Sequence, residues 1–213
     1  MASPPSGASS EQDGIPVVDL AVLLNGDAGE RSQAIRHLGR ACQHWGFFMV
    51  TNHGVPEALQ SAMMDACREL FGLPPEENAE FMDAGPMDPN GVDGLQVKHD
   101  GRWLLAKPIP GAFFVIAGDQ LEIVSNGRYK GVLHRALVDR EQARMSCVSL
   151  IGPCLDAVVE PVPELAVPPL GLGLEFRGVK YRDYMEHQQS NKLNDKGALD
   201  LVRVQKRPAI LYT

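Results

Sequence analysis

The sequence predicts an α+β fold in which helices flank a β-rich central module. Apolar residues recur with helical spacing in two N-terminal segments, one between residues 35 and 45 and one between residues 59 and 70. Short runs of β-branched and aromatic residues, separated by turn residues, follow from residue 93 onward. Near the C-terminus, Tyr181, Tyr184 and Gln188 recur with helical spacing, which indicates a final helix.

Composition and charge describe a globular chain with an acidic balance. The 213 residues are 44% apolar, enough for one sizeable core or two small ones. The net charge of -7 opposes binding to a phosphate backbone, so we expect no nucleic-acid partner. No apolar run is long enough for a signal segment or a membrane span. No CxxC pair occurs among the cysteines, which are Cys42, Cys67, Cys147 and Cys154. Together these features predict a cytoplasmic protein without a membrane partner.

The N-terminal part of the sequence predicts an arm, two helices and two strands. Residues 1–14 are rich in Ser, Gly and Pro and are predicted to form a disordered arm. The region 15–81 opens with the strand candidate IPVVDL and breaks at LNGDAGE. GFFMVTN is nearly all apolar, which is typical of a buried strand. The first helix is predicted from Ile35, Leu38, Cys42 and Trp45.

A second helix is predicted between Pro56, which suits a first helical turn, and Gly72, which suits a helix end. Its apolar face consists of Leu59, Met63, Cys67 and Leu70.

Residues 82–92 offer turn residues without an apolar period and are predicted to be a junction. In the region 93–152, strands are predicted in LQVK and RWLLA, joined by an Asp100-Gly101 turn, and in AFFVIAG, YKGVLHRA and RMSCVSLI. LEIVSNG suits either a strand or a helical turn. The region 153–213 contains EPVPELAVPPL, predicted as an extended strap, and VKYRDYMEHQQSNKL, predicted as the C-terminal helix.

Polar residues of the β-rich module are candidates for a binding site. On a barrel strand, His134 projects either into the lumen or to solvent, and Leu133 and Ala136 leave both orientations open. Strand alternation would place Arg144 and Ser146 on one face, where a guanidinium and a hydroxyl can converge on an anion. An imidazole for a metal and a clamp for a carboxylate together suit a metal-chelating diacid. A structural histidine and a surface arginine are the competing interpretations.

The β-rich module also carries a family resemblance. Residues 93–150, DGLQVKHDGRW…PIPGAFFVIAGDQLEIVSNGRYKGVLHRALVDREQARMSCVSL, closely resemble the C-terminal half of the double-stranded β-helix in plant iron(II)/2-oxoglutarate-dependent dioxygenases. IPVVDL, ACQHWGFFMVTNHGVP and LFGLPPEE resemble that family's N-terminal region, and FRGVKYRDYMEHQQSN resembles its C-terminal helix. The resemblance implies a partial double-stranded β-helix, or jelly roll, as the core.

The resemblance further implies an activity and residue roles. The family consists of oxidoreductases that use Fe(II), 2-oxoglutarate and O2, with ascorbate as a reductant, to oxidise small organic substrates while releasing succinate. The histidine of VLHRA binds iron in the family, which implies His134 as a metal ligand. The Arg-x-Ser of ARMS holds the far carboxylate of 2-oxoglutarate, which implies Arg144 and Ser146. A substrate pocket lined partly by the C-terminal helix is implied as well.

The sequence departs from the family in its iron site. The His-x-Asp motif that relatives carry upstream of the distal histidine is absent, and EFMDAGPMDP runs almost directly into NGVDGLQV. A block on the order of a hundred residues is therefore expected to be missing between Pro89 and Asn90. The adjacent pair His99 and Asp100 reads as a hairpin turn rather than as a replacement for the motif.

Other histidines and carboxylates are candidate replacement ligands. His37, His44, His53 and His187 are expected to be structural or solvated, since they fall on or beside the predicted helices and turns. Carboxylates near the junction, which are Asp83, Asp88 and Asp93, could donate one ligand. A single histidine with one mobile carboxylate would hold Fe(II) weakly compared with three preplaced ligands.

The sequence therefore supports two hypotheses. The first is a dioxygenase acting on a specialised metabolite or a hormone-like compound. The second is a catalytically inactive truncated isoform, acting at most as an interaction module. Loss of half a barrel would also expose strand edges, so self-association through those edges is expected.

Overall fold

The computed structural model describes residues 14–78, 94–137, 145–166, 173–190 and 197–204. By compactness the chain divides into two units. The first unit comprises residues 1–116 and 132–149, and the second comprises residues 117–131 and 150–213. Helices and short sheets occur together, as the α+β prediction requires. The predicted junction at 82–92 and all but the last residue of the predicted arm lie outside the described residues.

The first unit begins with a strand, two helices and a second strand. These are β1 (Val17–Asp19), α1 (Leu20–Asn25), α2 (Ala28–Arg40) and β2 (Phe47–Thr51). Strand β2 pairs in parallel with β1, and four of its five residues are buried, which confirms the prediction of a buried strand for GFFMVTN.

Short polar side chains fix where these helices begin. The Asp19 side chain accepts a hydrogen bond from the Val22 N–H at 3.2 Å and starts α1, which the sequence analysis missed because six residues carry too little periodicity. Asp27 and Glu30 form a capping box at the start of α2. Helix α2 then continues into a π-helical turn that ends at Gly46 with φ of 64°.

The second predicted helix is confirmed as α3 (Glu57–Phe71) and is followed by α4 (Pro75–Asn78). The Gly72 N–H donates to the Arg68 carbonyl at 2.9 Å and closes α3 at the predicted residue. No side chain of α3 is buried, although its sequence has a strongly apolar stripe.

Two three-stranded sheets complete the first unit. In the first sheet, β5 (Phe113–Ile116) pairs antiparallel with β2, giving the order β1-β2-β5. In the second sheet, β3 (Leu95–His99) lies between β4 (Arg102–Leu105) and β6 (His134–Ala136), and both pairings are antiparallel. One core cluster contains Phe47 and Met49 of β2 and Val97 of β3, together with Ile15 and Ala106 from the adjoining segments.

The strand predicted in RMSCVSLI is wrong for the residues that are described. Residues 145–151 belong to no strand or helix. Val148, Leu150 and Ile151 are 73%, 92% and 96% exposed, respectively. A strand needs a neighbour for its N–H and C=O groups, and none of the described strands pairs with this segment, so β-propensity alone does not order it.

The second unit is small and mixed. Its elements are α5 (Asp119–Val124), β7 (Val158–Val159), α6 (Pro163–Ala166), β8 (Val179–Lys180), α7 (Tyr181–Ser190) and α8 (Gly197–Val202), with β7 and β8 paired antiparallel. LEIVSNG, which suited a strand or a helical turn, is helical as α5 and ends in a turn at Asn126 and Gly127, where φ is 51° and 80°.

The C-terminal helix is confirmed as α7, with Tyr184 buried and Gln188 exposed. The predicted extended strap is wrong within the described residues, because α6 is helical and begins at Pro163. Proline is well tolerated at the first position of a helix. The sequence analysis did not predict helix α8, which supplies Ala198, Leu199 and Val202 to the hydrophobic core of the second unit. Over the described part of the chain, no helix is long and apolar enough to cross a bilayer.

Candidate functional site

A tight hairpin joins β3 to β4, and β3 is the strand with which β6, the strand of His134, pairs. Asp100 and Gly101 connect β3 to β4 with φ of 45° and 77°, the conformation of the two-residue turns whose twist matches paired strands. His99 pairs with Arg102 directly beside the turn. The predicted Asp100-Gly101 turn is confirmed, and it fixes which residues of β3 share a face.

His134 lies on β6 directly opposite Val97 on β3. Val97 is 0% exposed and belongs to the core of the first unit. Side chains of directly paired antiparallel residues project from the same face of a sheet. The imidazole therefore leaves the sheet on its core-facing side, a choice that the sequence left open, and at the edge strand it remains exposed to solvent.

The ring of His134 contacts a backbone carbonyl. Nδ1 lies 3.1 Å from the Val132 carbonyl oxygen. A carbonyl oxygen only accepts hydrogen bonds, so this contact requires the proton on Nδ1. In the neutral imidazole, Nε2 then carries the lone pair, and this backbone contact is the kind that orients metal-binding histidines.

The structure leaves the predicted clamp untested. Arg144 lies outside the described residues. Ser146 is described, and its side chain is exposed in the segment without secondary structure. The strand alternation that would place both on one face is not present at Ser146.

The described residues do not fit the complete iron site of the family. Within the described ranges, no group of three His, Cys, Asp or Glu side chains is arranged to hold a metal. His99 shares a face of β3 with Val97, but its ring stacks on Trp45 with centroids 3.7 Å apart. Its Nε2 lies 3.6 Å from the exposed Asp100 carboxylate in the turn. His99 and Asp100 thus do not provide a replacement site with His134.

Two other histidines have structural contacts, as predicted. Nε2 of His37 lies 3.1 Å from the Val17 carbonyl oxygen. Nε2 of His53 lies 2.6 Å from the Gly111 carbonyl oxygen, while its Nδ1 accepts from the Val55 N–H at 3.1 Å. These contacts link α2 to β1 and the turn after β2 to the loop before β5.

The opposite face of the second sheet carries a cationic and aromatic cluster that the sequence analysis missed. The Arg135 guanidinium lies 4.1 Å from the Trp103 ring centroid, and its Nε donates to Gln96 at 2.9 Å. Lys98 adds a second cation, with its Nζ 6.0 Å from the same ring centroid. The pairing register of β3 with β4 and β6 would have indicated this cluster, because Gln96 pairs with Arg135 and Lys98 pairs with Trp103.

The second unit contains buried polar pairs that sequence reasoning also missed. Glu122 is 0% exposed, and its carboxylate accepts hydrogen bonds from Arg203 and from the Gly131 N–H, both at 3.0 Å. The Tyr184 hydroxyl donates to Asp119. Burial and that hydrogen bond raise the pKa of Tyr184 well above its usual range.

A cavity of about 340 Å³ opens in the second unit. Its lining includes Arg177, Lys180, Asp183, Tyr184 and Leu201. Neither His134 nor Ser146 lines it.

In the first unit, burial raises the pKa of the Cys42 thiol, so this cysteine is a packing residue.

Comparison with known proteins identifies similar sequences. A family model described as the N-terminal region of non-haem dioxygenases in morphine synthesis matches residues 15–107. The chain is 47% identical to 2-oxoglutarate-dependent dioxygenase 19 of Oryza sativa subsp. japonica, and the alignment covers 93% of each protein. This alignment spans 314 residues, which exceeds the 213 residues of the chain, so it must open gaps inside the chain.

Solved structures with a similar fold include a rice dioxygenase for auxin oxidation, with a TM-score of 0.68 at 20% identity over 89% of this chain and 100% of that one. JOX2, solved in complex with 2OG, Fe and JA, has a TM-score of 0.68 at 19% identity over 90% of this chain and 89% of its own. At these identities the likeness shows a shared fold.

Proposed function

Because this chain belongs to the family of 2-oxoglutarate-dependent dioxygenases, we propose that it oxidises a small organic molecule while converting 2-oxoglutarate to succinate. The observation that carries the proposal is the 47% identity to a rice dioxygenase over 93% of both proteins. Specialised metabolites and hormone-like compounds are the proposed substrate class, since the similar structures include a dioxygenase for auxin oxidation. Fe(II) is the proposed metal, and ascorbate is the proposed reductant.

His134 is the proposed metal ligand of this chain. Its position opposite buried Val97 directs the imidazole to the core-facing side of the sheet. The contact of Nδ1 with the Val132 carbonyl leaves Nε2 as the atom with a free lone pair. Both features support this role.

Arg144 and Ser146 are the proposed contacts of the far carboxylate of 2-oxoglutarate. A guanidinium presents paired N–H donors that match a carboxylate, and a serine hydroxyl adds a further donor. The support for this assignment is the ARMS sequence and its resemblance to the family pattern.

The partial jelly roll is likewise a proposal. Its support is the fold likeness to the auxin-oxidising dioxygenase together with the β4-β3-β6 sheet, which contains the proposed ligand strand. A missing block between Pro89 and Asn90 agrees with an alignment that is longer than the chain. Such a chain would hold Fe(II) weakly, because His134 would lack preplaced companion ligands.

A catalytically inactive polypeptide is the second candidate. One observation favours it, namely that the described residues contain no group of three potential metal ligands. The comparisons do not favour it, since the relatives to which the chain is similar are named as dioxygenases.

Succinate release separates the two candidates. Purified chain is incubated with excess Fe(II), 2-oxoglutarate, ascorbate and air, beside a His134→Ala variant and a His44→Ala control. The proposal expects succinate from the wild-type and His44→Ala proteins in clear excess over His134→Ala. Equal succinate in all three samples would reject the enzyme and support the inactive polypeptide.

A further inference from the structure

Strand β6 is short, and its backbone hydrogen bonds do not select its register. It has three residues, all paired with β3. At its two ends, the Lys98 N–H donates to the Leu133 carbonyl at 2.8 Å, and the Leu137 N–H donates to the Gly94 carbonyl at 2.6 Å. The segment 131–137 contains no proline, so a strand displaced by one residue has the same backbone donors and acceptors. The choice of register therefore depends on side chains.

The apolar pattern of this segment favours the opposite orientation. Strand alternation places Leu133 and Leu137 on the side of Arg135, and each leucine is 43% exposed. The core-facing side carries Val132, which packs against the core, and the polar His134. Displacement by one residue would turn two leucines toward the core in exchange for one valine, which burial of apolar surface favours. Another interaction must therefore hold β6 as it is.

Arg135 provides that interaction on the outer side of the sheet. It pairs directly with Gln96, and its Nε donates to the Gln96 side-chain oxygen at 2.9 Å. Its guanidinium also lies 4.1 Å from the ring centroid of the half-buried Trp103. Displacement of β6 by one residue would break both contacts and turn the guanidinium to the core-facing side, where an unpaired charge is costly.

We propose that Arg135 is a positioning residue for His134, because its contacts on the outer side hold β6 in the register that turns the imidazole to the core-facing side. The importance of this direction rests on the proposed function, in which His134 binds the metal. The register itself is a property of the metal-free chain, so it is measured without Fe(II) and without turnover.

NMR of the full metal-free chain reports the register through nuclear Overhauser contacts of Val97. Val97 and His134 lie opposite each other between hydrogen-bonded pairs, where side chains of antiparallel strands come closest. Arg135→Leu removes the cation and completes an alternating row of leucines at positions 133, 135 and 137. The contact between Val97 and the His134 ring is expected to weaken by about fivefold or more, because the altered pattern favours the displaced register. A new contact is expected between Val97 and Leu133 or the side chain at position 135.

Two variants serve as controls for Arg135→Leu. Arg102→Leu makes the same change at an exposed arginine of β4 and is expected to leave the contact of Val97 with His134 unchanged. Arg135→Lys keeps a cation and a hydrogen-bond donor at the position and is expected to retain that contact as well. Amide signals of α2 and β2 report whether each variant is folded, and if Arg135→Leu does not fold, Arg135→Val is measured by the same contacts.

Three results would overturn the proposal. The first is an unchanged contact between Val97 and His134 in Arg135→Leu, and the second is an equal loss in Arg102→Leu. The third is loss of that contact without a new one to Val97, which would mean that Arg135 attaches β6 without setting its register. A chain that shows the expected contacts but releases no succinate would reject the proposed function and still support the role of Arg135 in the register.

Discussion

Val97 and His134 face one another across β3 and β6 and project from the same side of the sheet, one fully buried in the core and the other exposed at the edge. The pairing register thus determines where the imidazole points. A shift of β6 by one residue would move Arg135 to this side and His134 to the side of Trp103. Features that hold the register are therefore as important to the proposed site as His134 itself.

The hairpin between β3 and β4 depends on Gly101. Its φ of 77° is strained for residues with a side chain, although a Cβ there would meet no atom within 4 Å. Gly101→Ala is expected to lower the free energy of unfolding by about 1 kcal/mol through backbone strain alone. Gly101→Asn is expected to lose less, because asparagine adopts this conformation more readily. Urea unfolding followed by tryptophan fluorescence measures both losses, and equal losses in the two variants would argue against backbone strain as the cause.

The ion pair between Glu122 and Arg203 is expected to stabilise the second unit. The glutamate is 0% exposed, so removal of the guanidinium leaves a buried carboxylate without this cation. Arg203→Met is expected to cost about 2–3 kcal/mol in urea unfolding followed by circular dichroism.

Arg182→Met provides the matched control for that measurement. Arg182 pairs with Asp156 at 3.1 Å, and the two side chains are 47% and 80% exposed. Its removal is expected to cost less than about 1 kcal/mol, because water solvates both charges. A similar loss in the two variants would show that burial of Glu122 does not determine the effect.

Tyr184 gives the second unit a dependence on alkaline pH. Its hydroxyl is buried beside Asp119, and its pKa is raised above the ordinary value of 10.0. Above that pH the unfolded chain releases the tyrosine proton while the folded chain retains it, so stability falls as pH rises. Tyr184→Phe is expected to be less stable than wild type by about 1 kcal/mol at neutral pH, because it lacks the hydrogen bond. Urea midpoints across pH are expected to converge above pH 10, and a constant gap would contradict this assignment.

Local chemistry made part of the fold predictable. The apolar run GFFMVTN became β2, the Asp100-Gly101 pair became the hairpin turn, and Gly72 ended α3, because propensity and tertiary contacts agree at these positions. The short helices α1 and α8 were missed, since a single turn or two leaves little periodicity in a sequence.

Other features depend on neighbours that a sequence does not specify. RMSCVSLI has strand propensity, but its described residues pair with none of the strands in the described ranges and are irregular. The direction of His134 required the register of β3 and β6. The ion pair of Glu122 and Arg203 joins residues 81 positions apart, which no local pattern indicates.

Nitrogen-15 NMR of the histidine rings during addition of Fe(II) and 2-oxoglutarate without oxygen tests whether His134 binds the metal. Neutral His134 is expected to carry its proton on Nδ1, and Fe(II) is expected to broaden the signals of His134 before those of His44 and His187. A proton on Nε2, or broadening that leaves His134 unaffected while another histidine responds, would contradict His134 as the metal ligand of this chain.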